Sequence, residues 1–356
     1  MTKKICYFGT YDPYYPRNQI LISGLKKNNC EVYDCNDRSS GIKHYLNLFL
    51  KFLKLEKKFE TIIVGVLGYT DVPLAWFLAK IFKKVLVFDA FYSLHDTYVD
   101  DRQIFKKNSF FALKFFLQDF LCTHLADIVL LDTKHHAKHF VKKYKIRKSK
   151  VRYLYIGANE NYFKPKKNTR KSTNFIVEFH GSFQNLQGVD FIIETANKLN
   201  KHKDFKFKIV GDGISKKKAL ILIKKYQLKN VDMIPWQNIK NIRKIISESD
   251  VSLGIFGKTK KANLVIPNKV YEAVALLRPI ITMDSPASRE VFTNEEDALL
   301  VSNKNPDNLA YAIFRLKNNK KLYDKICKSA YNLYRKKLTS KIIGKQLKII
   351  IDSYKK

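Results

Sequence analysis

Short apolar runs alternate with longer amphipathic stretches through the first half of the chain. The short runs predict buried strands, and the stretches with apolar residues every three or four positions predict helices. The predicted strands lie at 4–8, 30–34, 61–66, 85–88 and 127–131, and the predicted helices at 18–28, 42–55, 72–82, 109–124 and 134–144. Strands separated by single helices indicate βαβ units and a parallel sheet.

The segment 158–172 interrupts this alternation with Pro165, several asparagines and a cluster of basic residues, which favours an interdomain linker. The alternation then resumes. Strands are predicted at 175–180, 205–210, 231–234, 251–255 and 279–283, and helices at 188–200, 215–226, 239–247 and from 268, with two more helices closing the chain. We therefore expect two tandem doubly wound α/β domains, at 1–165 and 166–335. A final helix at 336–356 is expected to pack back on the first domain.

The length of 356 residues and the 46% hydrophobic content suit two globular domains with cores of their own. Five scattered cysteines, with no CxxC pair, argue against a disulfide framework or a zinc site and favour a reducing cytoplasm. The first predicted strand begins close to Met1, so we expect no signal peptide in this sequence. No apolar run reaches the roughly 18–20 residues that a membrane span requires.

The formal net charge of +35 predicts attraction to polyanions, such as anionic lipid headgroups, lipid-linked phosphates or nucleic acid. Lysine dominates arginine, and asparagine, isoleucine and phenylalanine are abundant, so a low-GC coding bias explains the charge equally well. No helix-turn-helix, zinc or RNA-binding signature supports a nucleic-acid-binding protein, which remains an alternative on charge alone.

The most informative segment is 265–281, where Pro267 and Asn268 precede a predicted helix and the strand that follows opens with Pro-Ile-Ile. Proline ends backward extension of the helix, and asparagine is a good N-cap. Lys269 and Glu272, three residues apart, would share one helical face. The first-turn N–H groups and Lys269 suit an anion, and Glu272 suits a pair of hydroxyls. The other interpretation is a Lys–Glu pair on the surface of an ordinary amphipathic helix.

The pattern Pro-x-Lys-x-x-Glu resembles the donor motif in a subset of family 4 glycosyltransferases. This resemblance implies the GT-B fold, with two Rossmann-like domains facing a central cleft. It also implies a retaining enzyme that moves a sugar from a nucleotide-diphosphate sugar to an acceptor hydroxyl, with Lys269 and Glu272 at the reaction centre. The more common family motif has a second glutamate eight residues before Glu272, and this position is Leu264 here.

Two glycine-containing turns in the second half of the chain resemble the donor-binding turns of that family. The stretch 179–190 passes from a strand through a turn into a helix, so backbone N–H groups converge where a phosphate could bind. Many family members have a basic pair here, and this chain has Ser182 and Gln187 instead. The turn 209–213 resembles the glycine turn beside the nucleotide. The implied donor-binding residues are Gly181, Ser182, Gln187, Gly188, Gly211, Gly213 and Asn268.

The resemblance implies that two loops of the first half line the acceptor side. In the loop 9–17, Gly9 and Thr10 would contact the acceptor and Arg17 would meet an acceptor phosphate. The other interpretation of this loop is a proline-rich turn that caps the next helix. After the strand at 85–88, His95 loosely matches a family histidine that contacts the donor sugar or its reaction centre, which implies a catalytic role. Asp96 adds hydrogen-bonding capacity on the acceptor side.

No metal and no cofactor besides the sugar donor is expected. His135, His136 and His139 have spacing that could suggest a metal, but neighbouring lysines and the lack of a carboxylate partner favour an exposed helical face. The scheme implied by the resemblance requires no metal, and no DxD-type carboxylate cluster is present.

The stretches 44–55 and 109–121 mix phenylalanine and leucine with lysine. Such helices usually face a core, and in a basic protein they can also lie on an anionic membrane. We expect a glycan or lipid-linked acceptor from lipopolysaccharide, capsule or other surface-glycan synthesis, and a cytoplasmic protein that can be peripheral on the inner membrane face. A nucleotide-sugar epimerase of the same fold is the other enzymatic alternative.

Overall fold

The computed structural model describes residues 2–165 and 173–354, so residues 166–172 of the predicted linker lie outside the described residues. The chain forms two compact units. The first unit comprises the chain up to Val99, Gln103–Asn159 and the segment from Leu338 onward. The second comprises Asp100–Arg102 and Glu160–Lys337.

The first unit contains a parallel sheet of six strands in the order β2-β1-β3-β4-β5-β6. The strands are β1 (Lys4–Gly9), β2 (Glu31–Asn36), β3 (Thr61–Val64), β4 (Val85–Asp89), β5 (Ile128–Leu131) and β6 (Val151–Tyr153). The connecting helices are α1 (Pro16–Lys26), α2 (Gly41–Leu55), α3 (Val72–Ile81), α4 (Phe110–Leu125) and α5 (Lys134–Tyr144). The three-residue β6 was not predicted, because one short run carries too little periodicity to be recognised.

The second unit has its own parallel sheet, in the order β12-β11-β10-β7-β8-β9. Its strands are β7 (Phe175–Gly181), β8 (Phe205–Gly211), β9 (Val231–Ile234), β10 (Val251–Leu253), β11 (Ile280–Met283) and β12 (Leu299–Val301). Its helices are α6 (Val189–Lys198), α7 (Lys216–Lys225), α8 (Ile239–Ser247), α9 (Asn268–Ala275), α10 (Pro306–Asn318) and α11 (Lys320–Lys337). The predicted α/β class with two doubly wound parallel sheets is confirmed.

The last helix, α12 (Ser340–Asp352), belongs to the first unit and packs along α1. Two helical glycines make this contact possible. A Cβ atom built on Gly344 would lie 2.0 Å from the carbonyl carbon of Gly24, so the two helix backbones approach where neither residue has a side chain. Among the described residues, no helix is long and apolar enough to cross a membrane.

In the second unit, the pairing register aligns the carboxyl ends of β7 and β8. β7 pairs with β8 from Phe175 opposite Phe205 to Gly181 opposite Gly211, so both strands end in glycine at the same sheet edge. The carboxyl edge of an open parallel sheet is where α/β proteins bind ligands.

Candidate functional site

The helix α9 begins directly after Pro267, whose extended backbone precedes the first helical residue, Asn268. The N-cap position is therefore Pro267 and not Asn268 as predicted, because the helix starts one residue earlier than the asparagine preference suggested. Lys269 and Glu272 share one face, as expected. Their exposed fractions are only 4% and 9%, so they are not a pair on the protein surface.

Lys269 is a buried cation without a conventional partner. Within the described residues, its Nζ has no hydrogen-bond partner, although it lies 3.5 Å from the centroid of the Phe179 ring in a cation–π contact. Burial lowers the pKa of Lys269 to about 7, while the carboxylates of Glu178 and Glu272 oppose that shift. Removing an ammonium group from water without a hydrogen-bond partner is costly, so this position favours an incoming anion.

The glycine at the end of β7, Gly181, lies directly against Lys269. A Cβ atom on Gly181 would stand 2.7 Å from Lys269 Nζ and 2.4 Å from Gln187 Oε1. Gln187 Oε1 and Asn268 Oδ1 are buried atoms that also have no hydrogen-bond partner in the described part of the chain. Three polar side chains with unused hydrogen-bonding capacity therefore belong to the segments that meet here, and glycine at 181 lets Lys269 and Gln187 approach the backbone closely.

His180 lies between the carboxylates of Glu178 and Glu272 and contacts both. Its Nδ1 lies 2.6 Å from Glu178 Oε1 and its Nε2 lies 3.1 Å from Glu272 Oε2. The hydroxyl of Ser252 donates to the other oxygen of Glu178 at 2.5 Å. Burial alone would lower the pKa of His180, but the two carboxylates raise it to about 9. A protonated imidazole thus fixes the Glu272 carboxylate through one oxygen, Oε2.

The glycine turns around β7 and β8 require residues without a side chain. Gly211 and Gly213 have φ angles of +136° and +146°, and Cβ atoms there would lie 1.9 Å and 2.0 Å from the carbonyl oxygens of Gly181 and Ser182. Gly188 adopts a left-handed conformation and its N–H donates to Asn185, so it closes the turn that leads into α6. These predicted donor residues therefore shape the backbone at one edge of the sheet.

Residues 160–333 match the family model of Glycosyl transferases group 1. The matched stretch contains the whole cluster around Lys269. An uncharacterized glycosyltransferase of Methanocaldococcus jannaschii is 24% identical over 151 residues, which cover 40% of this chain and 38% of that relative. The alignment thus spans well under half the length of this curated relative.

Solved structures resemble the whole chain. HepE from Anabaena, in complex with UDP, superposes with a TM-score of 0.76 at 13% identity, covering 99% of this chain and 100% of that one. Sucrose-phosphate synthase from Thermosynechococcus elongatus also gives a TM-score of 0.76 at 14% identity, covering 98% of each chain. The fold is therefore GT-B.

In the first unit, the loop after β1 is hydrogen-bonded to a buried aspartate, Asp71. The N–H of Thr10 donates to Asp71 Oδ2 at 2.5 Å, and His44 Nε2 lies 2.8 Å from Asp71 Oδ1. Gly9 has a φ angle of +104°, and a Cβ there would lie 2.6 Å from the same carboxylate. Gly9 and Thr10 thus form a fixed loop, and their predicted acceptor contacts stay a prediction.

Arg17 does not have the role that its loop suggested. It is fully buried, its Nε and Nη2 donate to Asp89 at 2.9 Å, and its Nη1 donates to the carbonyl of Leu154 at 2.6 Å. With its guanidinium occupied in the core, it is not available to an acceptor phosphate, and the prediction of that contact is wrong in this structure. The sequence did not reveal that Asp89, at the end of β4, would face α1.

His95 and Asp96 lie in a charged cluster with α5. His95 Nδ1 accepts from Lys143 Nζ at 2.8 Å, and Asp96 is buried against Lys143 and His139, whose Nε2 lies 2.8 Å away. Burial raises the pKa of Asp96, but the hydrogen bond from His139 and the charge of Lys143 outweigh it and hold the pKa well below its usual range. Asp96 is thus engaged within the first unit, and its predicted contact with an acceptor is not supported by this geometry.

The interpretation of the α5 histidines as one exposed face is also wrong. His136 is fully buried, with Nδ1 at 2.6 Å from Asp132, and His139 contacts Asp96. Asp132, four residues before His136, and Asp96, from a distant segment, supply the carboxylate partners from outside the helix.

Glu178, His180 and Ser252 are the residues that sequence reasoning missed. A signal was present, since Glu178 interrupts an apolar strand and His180 follows two residues later on the same side of the sheet. A fully buried glutamate within a strand requires a partner, which is a reason to single out such a residue.

Proposed function

We propose that this protein is a retaining glycosyltransferase that moves a sugar from a nucleotide-diphosphate sugar to an acceptor hydroxyl. One observation carries the proposal. Lys269 is a buried ammonium with no hydrogen-bond partner in the described structure, packed close to Gly181 at the end of β7 and in the first turn of α9. A diphosphate would supply the missing partner for Lys269 and the negative charge that a helix N-terminus favours.

In this proposal, different side chains of the cluster bind the diphosphate and the hydroxyls of the donor. We place the diphosphate against Lys269, Gln187 and the N–H groups of the Gly181 turn. Glu272 would accept hydrogen bonds from donor hydroxyls through Oε1, because no described residue donates to that oxygen and His180 holds Oε2. The HepE structures contain UDP and UDP-glucose, which makes UDP-sugars the first donors to test.

The reaction we propose breaks the bond between the anomeric carbon and the β-phosphate oxygen. The acceptor oxygen bonds to the same carbon from the same face, and its proton passes to the departing diphosphate. We assign no carboxylate as nucleophile, so the residues act by positioning and by stabilising charge on the leaving group. Lys269 has the principal part, because Ser182 and Gln187 are uncharged. His95 remains a candidate for contact with the donor sugar.

We also propose that transfer needs no metal ion. The support is that Lys269 would provide the positive charge on the diphosphate that a divalent cation supplies elsewhere. Treatment with a chelator should leave the rate of transfer unchanged. A loss of activity that added Mg²⁺ or Mn²⁺ restores would contradict this part of the proposal.

The acceptor we propose is a lipid-linked or surface-polysaccharide precursor, handled by a protein that is peripheral on the cytoplasmic face of the membrane. The net charge of +35 supports a negatively charged acceptor or a negatively charged membrane surface near the protein. The identity of the acceptor sugar stays open to experiment.

Calorimetric titration of the full-length protein with UDP, GDP, ADP and their sugars tests the donor assignment. We expect one nucleotide to bind, and the product's anomeric configuration, measured by NMR, to equal that of the donor. Absence of binding by every nucleotide would refute the donor site, and an inverted product would refute retention. Release of an epimerised free sugar without any acceptor would favour the epimerase alternative.

A further inference from the structure

We propose that helices α2, α3 and α4 of the first unit form a docking surface for an anionic membrane. The described residues include 26 large hydrophobic side chains that are exposed, and 13 of them lie on these three helices. We call this surface, defined by the outward sides of α2, α3 and α4, the apolar-basic face. So dense a group of exposed apolar side chains is unusual for a protein surface in contact with water alone.

The three helices are neighbours on one side of the sheet. Leu48 and Phe52 of α2, Leu78 of α3 and Cys122 of α4 pack into a single hydrophobic core cluster. Phe52 also contacts Phe82, directly after α3, at a ring distance of 5.3 Å, and α3 contacts α4. Because the inward sides share one core, the outward sides form one continuous face.

The exposed apolar residues follow helical spacing and are therefore stripes, not isolated side chains. On α2 the stripe consists of Ile42, Leu46, Leu50 and Leu53. On α4 it includes Phe110, Leu113 and Leu117, with Phe110 75% exposed. The helices thus have apolar residues on both sides, one set in the core and a second set facing outward.

Charge identifies the occupant as an anionic bilayer. The three helices carry five exposed lysines, at positions 43, 51, 54, 80 and 114, and their single acidic residue, Asp119, is fully buried. An anionic leaflet attracts such lysines, while apolar side chains enter the headgroup region. A second copy of the chain would instead bring the same lysines against each other.

This inference depends on the proposed function only in suggesting why the acceptor would be lipid-linked. Vesicles without any acceptor test the surface directly, so membrane binding and nucleotide binding can fail independently. The experiment is sedimentation of the full-length protein with vesicles of phosphatidylcholine and roughly one-third phosphatidylglycerol. We expect binding that decreases in pure phosphatidylcholine and in high salt.

Two matched pairs of variants locate the surface. Leu117→Glu, on α4, should reduce the partition coefficient at least tenfold, since it removes an apolar side chain that would enter the headgroup region and adds a charge of the same sign as the lipid. Ile349→Glu, on α12 and similarly exposed, should change it less than about twofold. Lys54→Glu with Lys114→Glu should weaken binding far more than Lys328→Glu with Lys345→Glu, which alters the net charge equally.

Three results would overturn the proposal. The wild-type protein could fail to sediment with anionic vesicles, or both members of each variant pair could lose binding equally, which would indicate nonspecific charge attraction. Light scattering could also show a wild-type dimer that Leu117→Glu converts to a monomer, which would assign the face to a second copy. Circular dichroism of each variant checks that the fold is retained.

Discussion

The environment in the second unit shifts the pKa values of Lys269 and His180 in opposite directions. Lys269 is buried with its Nζ over an aromatic ring, so its charged form is disfavoured. His180 lies between Glu178 and Glu272, so its charged form is favoured. The two residues therefore make opposite contributions to the dependence of stability on pH.

Lys269→Met should stabilise the free protein and impair donor binding. In the folded protein the pKa of Lys269 is about 7, against 10.5 for an ordinary lysine, so the unfolded chain binds more protons between these values and stability rises with pH there. Below pH 7 the full cost of the buried charge remains. We expect the variant to be more stable at pH 6 by on the order of 2–4 kcal/mol, with a smaller difference at pH 10.

Urea unfolding at both pH values measures this difference, and calorimetry should show at least a tenfold loss of affinity for the bound nucleotide. Lys258→Met, at an exposed lysine of the same unit, is the control and should change neither quantity. Undiminished nucleotide affinity in Lys269→Met would remove Lys269 from the site.

His180→Gln should destabilise the protein in acid and neutral solution. The pKa of His180 is raised from 6.5 to about 9 in the folded state, so its stabilisation is complete below pH 6.5 and disappears as the pH rises through 9. We expect a loss of on the order of 2–3 kcal/mol at pH 6 that becomes small at pH 10. His202→Gln, at an exposed histidine, is the control for chemical unfolding. A loss independent of pH would show that packing, and not charge, explains the effect.

At the scale of elements, the paired ends of β7 and β8 determine the shape of the site. Gly181 and Gly211 are paired across β7 and β8, and a side chain at either position would clash with different atoms. At Gly211 the obstacle is the backbone carbonyl of Gly181. At Gly181 it is the flexible ends of Gln187 and Lys269.

Gly181→Ala and Gly211→Ala should therefore fail in different ways. Gly181→Ala should fold with a similar melting temperature and lose nucleotide affinity, because Lys269 and Gln187 can move but are then displaced. Gly211→Ala should lower the melting temperature by roughly 10 °C or more, since its φ angle of +136° and the 1.9 Å approach leave no room. Thermal unfolding and titration of both variants check this, and a reversal of the two outcomes would contradict the assignment.

At the scale of the whole molecule, the chain completes its first unit with its last helix. α12 packs on α1, although most of the second unit lies between them in the sequence. Each unit has a separate hydrophobic core cluster of its own. Damage to the contact between α12 and α1 should therefore affect the first unit and spare the nucleotide site.

Gly344→Val should disrupt this contact, because even a Cβ atom at residue 344 would overlap the backbone of Gly24. We expect a loss of several kcal/mol from the first unit, of the size of other severe overpacking changes. Limited proteolysis should then cut the first unit, while nucleotide affinity stays within about twofold of the wild type. Ile349→Ser, at an exposed position of the same helix, should remain resistant.

The sequence by itself determined the repeated strand–helix order apart from the short strands β6 and β12, the two parallel sheets, and the start of α9 within one residue. These features depend on local periodicity and on residues such as Pro267, whose backbone preferences act wherever they occur. The burial of Arg17 against Asp89, the fixing of Glu272 by His180 and the isolation of Lys269 were decided only by the tertiary structure. Each depends on partners from distant segments, and local patterns do not record which charges meet or which remain unpaired.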